Sequence, residues 1–299
     1  MVKRFISANT SEILAMTAEE LKQSIRASEG RVIVSENVAP RESFLGDVTN
    51  AEIARAFGAD LILLNGIDVL EPKVFALDRD QANFVERLHE LVGRPIGVNL
   101  EPVDPNAEAA ETLMEISKGR QANDETLEEI EKLGLEFVCF TGNPGTGVSN
   151  SAIIESVKRA KEKFSGLIMA GKMHGAGVSE PVADPATIQA LVDAGADIIL
   201  VPSVGSVPGF DADQLKAAVK VAHEAGALVM TAIGTSQEGS SPAVIEQMAI
   251  TNKICGVDMQ HIGDAGFGGL APVENIFAMS KAIRGHRHAV SMMAKSVNR

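Results

Sequence analysis

The sequence predicts an α/β protein, a single (β/α)8 barrel with an N-terminal helical extension, and three observations predict it. A phrase recurs in which a polar helical run is followed by Gly with a small or acidic residue, then by an apolar run. It stands as Gly58-Ala59-Asp60 before 61–64, Gly134-Leu135-Glu136 before 137–140, Gly195-Ala196-Asp197 before 198–201 and Gly226-Ala227 before 228–230. Glycine ends helices because it tolerates positive φ, and a short continuous apolar run reads as a strand buried on both faces. Helices alternating with such strands force parallel pairing. Finally, the count of eight strand-helix units in about 250 residues is that of a closed barrel, whereas an open doubly wound sheet would leave two edges to protect.

The strands are expected at 31–35, 61–65, 95–100, 136–141, 166–171, 197–202, 227–233 and 254–261. Thr49-Asn50 opens the first intervening helix, 51–57, and 80–91 forms the next; Asn123-Asp124 opens 125–133, where Leu127, Ile130 and Leu133 fall at helical spacing. Helices are further expected over 149–163, 185–194, 212–225, 242–251 and 272–284, with Pro185, Pro242 and Pro272 near starts, where a missing N–H costs nothing. Residues 1–30 make the N-terminal extension: a capping box from Thr17 to Glu20 starts a helix able to plug the lower mouth of the barrel. The barrel proper spans 31–284. The basic tail 285–299 reads as a solvated terminal helix, with a partner-contacting helix as the alternative.

Composition excludes several classes. Lys and Arg number 27 against 40 Asp and Glu, and a net charge of −13 opposes binding to nucleic acid or an anionic membrane. With no Trp or Tyr, platforms for stacking bases are scarce. Cys139 and Cys255 lie in apolar runs and read as small hydrophobes in a reduced core. No run is long enough for a membrane span, and polar residues from Ser7 to Glu12 interrupt any signal peptide, so a cytoplasmic protein is expected, assembled as a homo-oligomer.

In such barrels the working residues sit at the C-terminal strand ends. Those ends read Glu36; Asn65; Asn99 and Glu101; Thr141 and Asn143; Lys172 and His174; Ser203; Gly234, Thr235 and Ser236; and Gln260, His261, Gly263, Asp264 and Gly266. Lys172, His174, Glu36, Glu101 and His261 form the candidate catalytic set; the rest are candidate substrate-binding residues. A buried Lys172 suits Schiff-base or general-base work, an ion pair with Glu36, Glu101 or Glu238 being the alternative. His174 and His261 suit acid-base chemistry, or metal ligation with Glu36, Glu101 and Asp258, although no His-x-x-x-His or Cys-x-x-Cys spacing supports a metal. The Gly-rich loops 234–241 and 263–269 fit the place where many barrels bind phosphate through backbone N–H groups. Two further glycine clusters fail: Gly142–Gly147 has P-loop spacing but Val148 where Lys is needed, and Gly175-Ala-Gly177 lacks a third glycine.

The phrases Leu61-Ile-Leu-Leu-Asn65, Pro95-Ile-Gly-Val-Asn99 and Asp184-Pro followed by Gly195-Ala-Asp-Ile-Ile resemble phosphate-binding TIM barrels, nearest to BtpA/SgcQ-like barrels. That resemblance implies the fold. The chain also resembles a bacterial family labelled haloacid-dehalogenase-like hydrolase, whose Asp-x-Asp-x-Thr/Val turn neither Gly66-Ile-Asp-Val69 nor Pro102-Val-Asp-Pro105 supplies. The expected activity is that of a lyase or isomerase on a small, anionic, phosphorylated metabolite. Alternatives are a metal-assisted hydrolase using a divalent ion, and a metabolite-binding or assembly protein without catalysis.

Overall fold

The computed structural model describes residues 2–108 and 112–299. Eight strands, β1 (Val32–Val38), β2 (Leu61–Asn65), β3 (Ile96–Leu100), β4 (Phe137–Phe140), β5 (Leu167–Gly171), β6 (Ile198–Pro202), β7 (Leu228–Ile233) and β8 (Met259–Ile262), pair in parallel and in sequence order. The ring closes where Val34 of β1 lies opposite His261 of β8. Outward-facing strand residues such as Ile62, Val98, Ile168 and Ile199 pack against the surrounding helices in one apolar shell.

The chain enters through α1 (Thr10–Leu14) and α2 (Ala18–Arg26). The Thr17–Glu20 capping box forms: Glu20 N–H donates to Thr17 Oγ1 at 3.3 Å and Thr17 N–H to Glu20 Oε2 at 3.0 Å. Phe5, Ile13, Leu21 and Ile25 then join a single apolar cluster with the barrel-lumen residues, sealing the lower mouth. Between strands run α3 (Asn50–Ala56), α4 (Phe84–Val92), α5 (Asp124–Lys132), α6 (Asn150–Lys163), α7 (Pro185–Ala194), α8 (Ala212–Glu224) and α9 (Pro242–Ile254).

Two expectations need correction. The last strand starts at Met259 rather than 254, because Ile254 closes α9 and Gly256, at φ +95°, turns the chain. The tail is not simply solvated. Helix α10 (Val273–Ala294) is broken at Gly285, and beyond the break Ala289 and Met292 are buried, Met292 against the lumen cluster.

Candidate active site

Side chains two apart on a strand share a face, so each strand carries one lumen series and one outward series. Moving up the barrel by one such step turns the lumen from apolar to polar: Val34 gives way to Glu36, Leu63 to Asn65, Gly97 to Asn99, Cys139 to Thr141, and Met259 to His261. Above this step opens a cavity of about 1160 Å³, lined by Glu36, Asn65, Asn99, Thr141, Asn143, His174, Gly234, Thr235, Ser236, Gly263, Asp264 and Gly266, all of them foreseen from the sequence. A smaller cavity of about 490 Å³ adjoins it across His174, Gly175 and Thr235.

At the floor, Glu36 Oε2 lies 3.0 Å from His261 Nε2, and their side chains are 5% and 0% exposed. Asn99 Nδ2 donates to the other Glu36 oxygen. Burial pushes the Glu36 carboxyl above its ordinary value, opposed by the hydrogen bond and charge of His261. Because Asn99 spends its amide N–H on Glu36, its Oδ1 is left as an acceptor without a protein partner, as is the buried Thr141 hydroxyl.

One wall is a continuous polar chain. Arg120 Nη2 donates to Glu101 Oε1 at 2.8 Å, and Asn143 donates to the same carboxylate through Nδ2 and its backbone N–H, each at 2.9 Å. Asn143 and Asn65 exchange reciprocal amide bonds of 2.9 and 3.0 Å, and Asn65 Nδ2 reaches Asp264 Oδ2 at 2.8 Å. Asn65 and Asn143 are therefore satisfied by each other and by acids, so they hold the wall in shape.

The structure separates three candidates from the rest. Lys172, Ser203 and Gln260 occupy the outward series, each one residue from a lumen position. Lys172 is fully buried, with Nζ 2.9 Å from Glu180 Oε2, an ion pair with a partner other than the expected Glu36, Glu101 or Glu238. Ser203 Oγ accepts from Asn252 Nδ2 at 2.8 Å, and Gln260 Nε2 donates to the Ala249 carbonyl of α9 at 2.8 Å. Glu101 and His261 stand just behind the lining as partners of Asn143 and Glu36. His174 lines both cavities, its Nδ1 accepting from Ala176 N–H at 2.9 Å.

The cavity also contains residues outside the candidate set, among them Arg41, Arg120, Met173 and Glu238. Glu238 had a visible signal, since it stands in the Gly-rich loop after β7. It is 5% exposed, its Oε2 has no partner, and burial raises its carboxyl above the ordinary value.

Two site expectations draw little from this geometry. In the β7 and β8 loops, Gly266 N–H is taken by Asp264 Oδ1 at 2.9 Å and Gly263 N–H by the Ile233 carbonyl at 2.9 Å. For a metal, Glu36 and His261 pair with each other while Glu101 is held by Arg120 and Asn143. Asp258 sits at the opposite end of β8, 2.7 Å from His223. Among the described residues no three of His, Cys, Asp and Glu gather as a ligand cluster.

A closed parallel barrel with a polar cavity on its C-terminal face defines the class of this protein. Within that class the chain belongs to the family described as Domain of unknown function (DUF7916), which matches residues 6–299. No curated protein matches it. Among solved structures, an archaeal fructose 1,6-bisphosphate aldolase is similar at TM-score 0.56 and 16% identity, over 88% of this chain and 97% of that one. A 2,3-dimethylmalate lyase of the PEP mutase/isocitrate lyase superfamily follows at TM-score 0.51 and 14% identity, over 85% and 83%. The carboxyl transferase domain of Rhizobium etli pyruvate carboxylase gives 0.54 and 12%, over 99% of this chain and 53% of that one. At these identities the likeness shows the fold alone. The dehalogenase resemblance is not supported: Asp68 closes a turn by accepting from Leu70 and Glu71 N–H at 3.0 and 3.1 Å, and no Asp-x-Asp follows a strand.

Proposed function

We propose that the protein is a lyase or isomerase that moves a proton on a small metabolite bound in the C-terminal cavity. The observation that carries this reading is the buried Glu36–His261–Asn99 cluster at the cavity floor. A general base works best when its pKa approaches the working pH, and burial moves Glu36 in that direction. Glu36 takes a proton from a carbon next to a carbonyl and returns it to the neighbouring position or to a leaving fragment. His261 holds the carboxylate in place and supports the negative charge it carries before it takes the proton and after it gives it back, the charge resting meanwhile on the enolate oxygen of the metabolite. The arginines Arg41 and Arg120, which line the same cavity, attract the anionic end of the metabolite.

Lyases among the structural neighbours support the reaction class. One archaeal aldolase structure shows its catalytic Lys covalently bound to a carbinolamine. Here no lysine lines the cavity among the described residues, so the proton transfer proceeds without an imine. The test is exchange in D2O, followed by NMR, over a panel of oxo acids and sugar phosphates. The wild type exchanges a carbon-bound proton of at least one member, and Glu36→Gln lowers that rate by about 10²–10⁴-fold. Equal rates for Glu36→Gln and wild type would refute the assignment.

A further inference from the structure

The cavity holds three polar groups that the protein itself leaves unsatisfied. They are Asn99 Oδ1, Thr141 Oγ1 and Glu238 Oε2, on β3, on the end of β4 and in the loop after β7. All three residues line the cavity, and none is more than 5% exposed. A buried polar atom without a partner costs about 1–3 kcal/mol, so a ligand group that reaches these three and pairs with them gains by that order. Two of the three are carbonyl or carboxyl oxygens. A fully ionised phosphate or carboxylate group brings only acceptors and cannot complete Asn99 Oδ1, which can only accept. An alcohol brings an O–H donor and, in the same group, lone pairs for the Thr141 hydroxyl.

We propose that Glu238, together with Asn99 and Thr141, receives the hydroxyl groups of a polyhydroxylated ligand, which makes the metabolite a polyol or sugar derivative. The inference deepens the proton-transfer reading and rests on it for the location of the site. An ammonium is another donor such acceptors could take. Burial and the nearby charges of Asp264 and Glu36 favour the neutral form of Glu238, which attracts a cation poorly but exchanges hydrogen bonds with an alcohol in either direction.

The experiment compares ligands equal in length and anionic end but differing in hydroxyls. Ribitol 5-phosphate is set against pentyl phosphate, ribonate against pentanoate, and 5-aminopentyl phosphate tests the amine. Binding to the full chain is measured by calorimetry. The wild type is expected to prefer the hydroxylated member of at least one pair by roughly tenfold or more, because a site built for O–H groups rejects the analogue lacking them. Glu238→Leu removes that preference, and Glu238→Gln, which keeps an acceptor, retains most of it. Circular dichroism confirms that each variant is folded, and Thr141→Val gives a second route should Glu238→Leu fail to fold. Equal binding within both pairs, preference for the amine, no binding of any member at millimolar concentration, or an undiminished preference in Glu238→Leu would overturn the proposal. Hydroxyl preference without proton exchange would instead sink the catalytic reading and leave this one standing.

Discussion

Replacing Lys172 by Met separates a structural lysine from a catalytic one. The side chain is fully buried, and its ammonium touches Glu180, which is 30% exposed and also accepts Asn150 N–H at 2.7 Å at the start of α6. Methionine keeps most of the volume and removes the charge. Breaking a fully buried pair costs about 3–5 kcal/mol. Here the carboxylate left behind keeps a backbone N–H, the favourable end of a helix dipole and access to water, which brings the cost to about 1–3 kcal/mol. At about 2 °C per kcal/mol for a chain of this size, Tm falls by roughly 2–6 °C. Urea unfolding measures the loss, and D2O exchange with borohydride trapping measures the chemistry. Exchange should persist once corrected for the folded fraction, with no borohydride adduct in the wild type. A folded Lys172→Met variant without exchange, alongside a wild-type adduct at Lys172, would show that this side chain reaches the lumen and that the strand alternation has been misread.

Three other outcomes follow from the same coordinates. Asp60 and Arg284 form a fully buried pair at 3.1 Å, so Asp60→Asn should cost about 3–5 kcal/mol in urea unfolding, far more than Lys172→Met. Because burial raises Glu36, the folded state binds more protons than the unfolded chain above the ordinary carboxylate range. Stability therefore falls as pH rises through that window, by about 1.4 kcal/mol for each unit of elevation, and Glu36→Gln should flatten the slope; a slope unchanged by the substitution would contradict the assignment. Burial likewise pushes the Cys139 thiol up, so thiol reagents should label it no faster than the protein unfolds, as mass spectrometry can follow.

The strands were legible because a run buried on both faces has few other readings. What the runs could not show was which of two adjacent residues faces inward. Lys172, Ser203 and Gln260 each missed the lumen by one position, and the apolar alternation Leu167, Met169, Met173 could have placed Lys172 outside. Arg41, Arg120 and Glu238 were passed over for a different reason. Each lies in a loop, where no periodicity fixes direction, and its position depends on long-range packing. The tail misled through composition: its basic residues suggested a solvated helix, while Ala289 and Met292, three apart, form the narrow stripe that buries.

The charge layout of the cavity bears on how a metabolite would lie in it. Arg41 follows β1 and Arg120 follows β3, whereas Glu238 and Asp264 belong to the loops after β7 and β8. Two like charges about 4 Å apart repel by about 4 kcal/mol near a protein surface. An anionic group placed over the β7 and β8 loops would meet that penalty from Asp264, and the Gly263 and Gly266 N–H groups that would offset it are already taken. Placed by Arg41 and Arg120, the anion faces two guanidiniums, and the hydroxyl-bearing carbons are left to reach Glu238, Asn99 and Thr141. The two proposals together favour the anion at the guanidiniums, with the carbon to be deprotonated over Glu36. Arg120→Met, Glu101 being then left to Asn143, should weaken every anionic ligand of the panel alike and leave the ratio within each pair unchanged. A change in that ratio would mean that Arg120 contacts the hydroxyl-bearing part of the ligand as well as its anion.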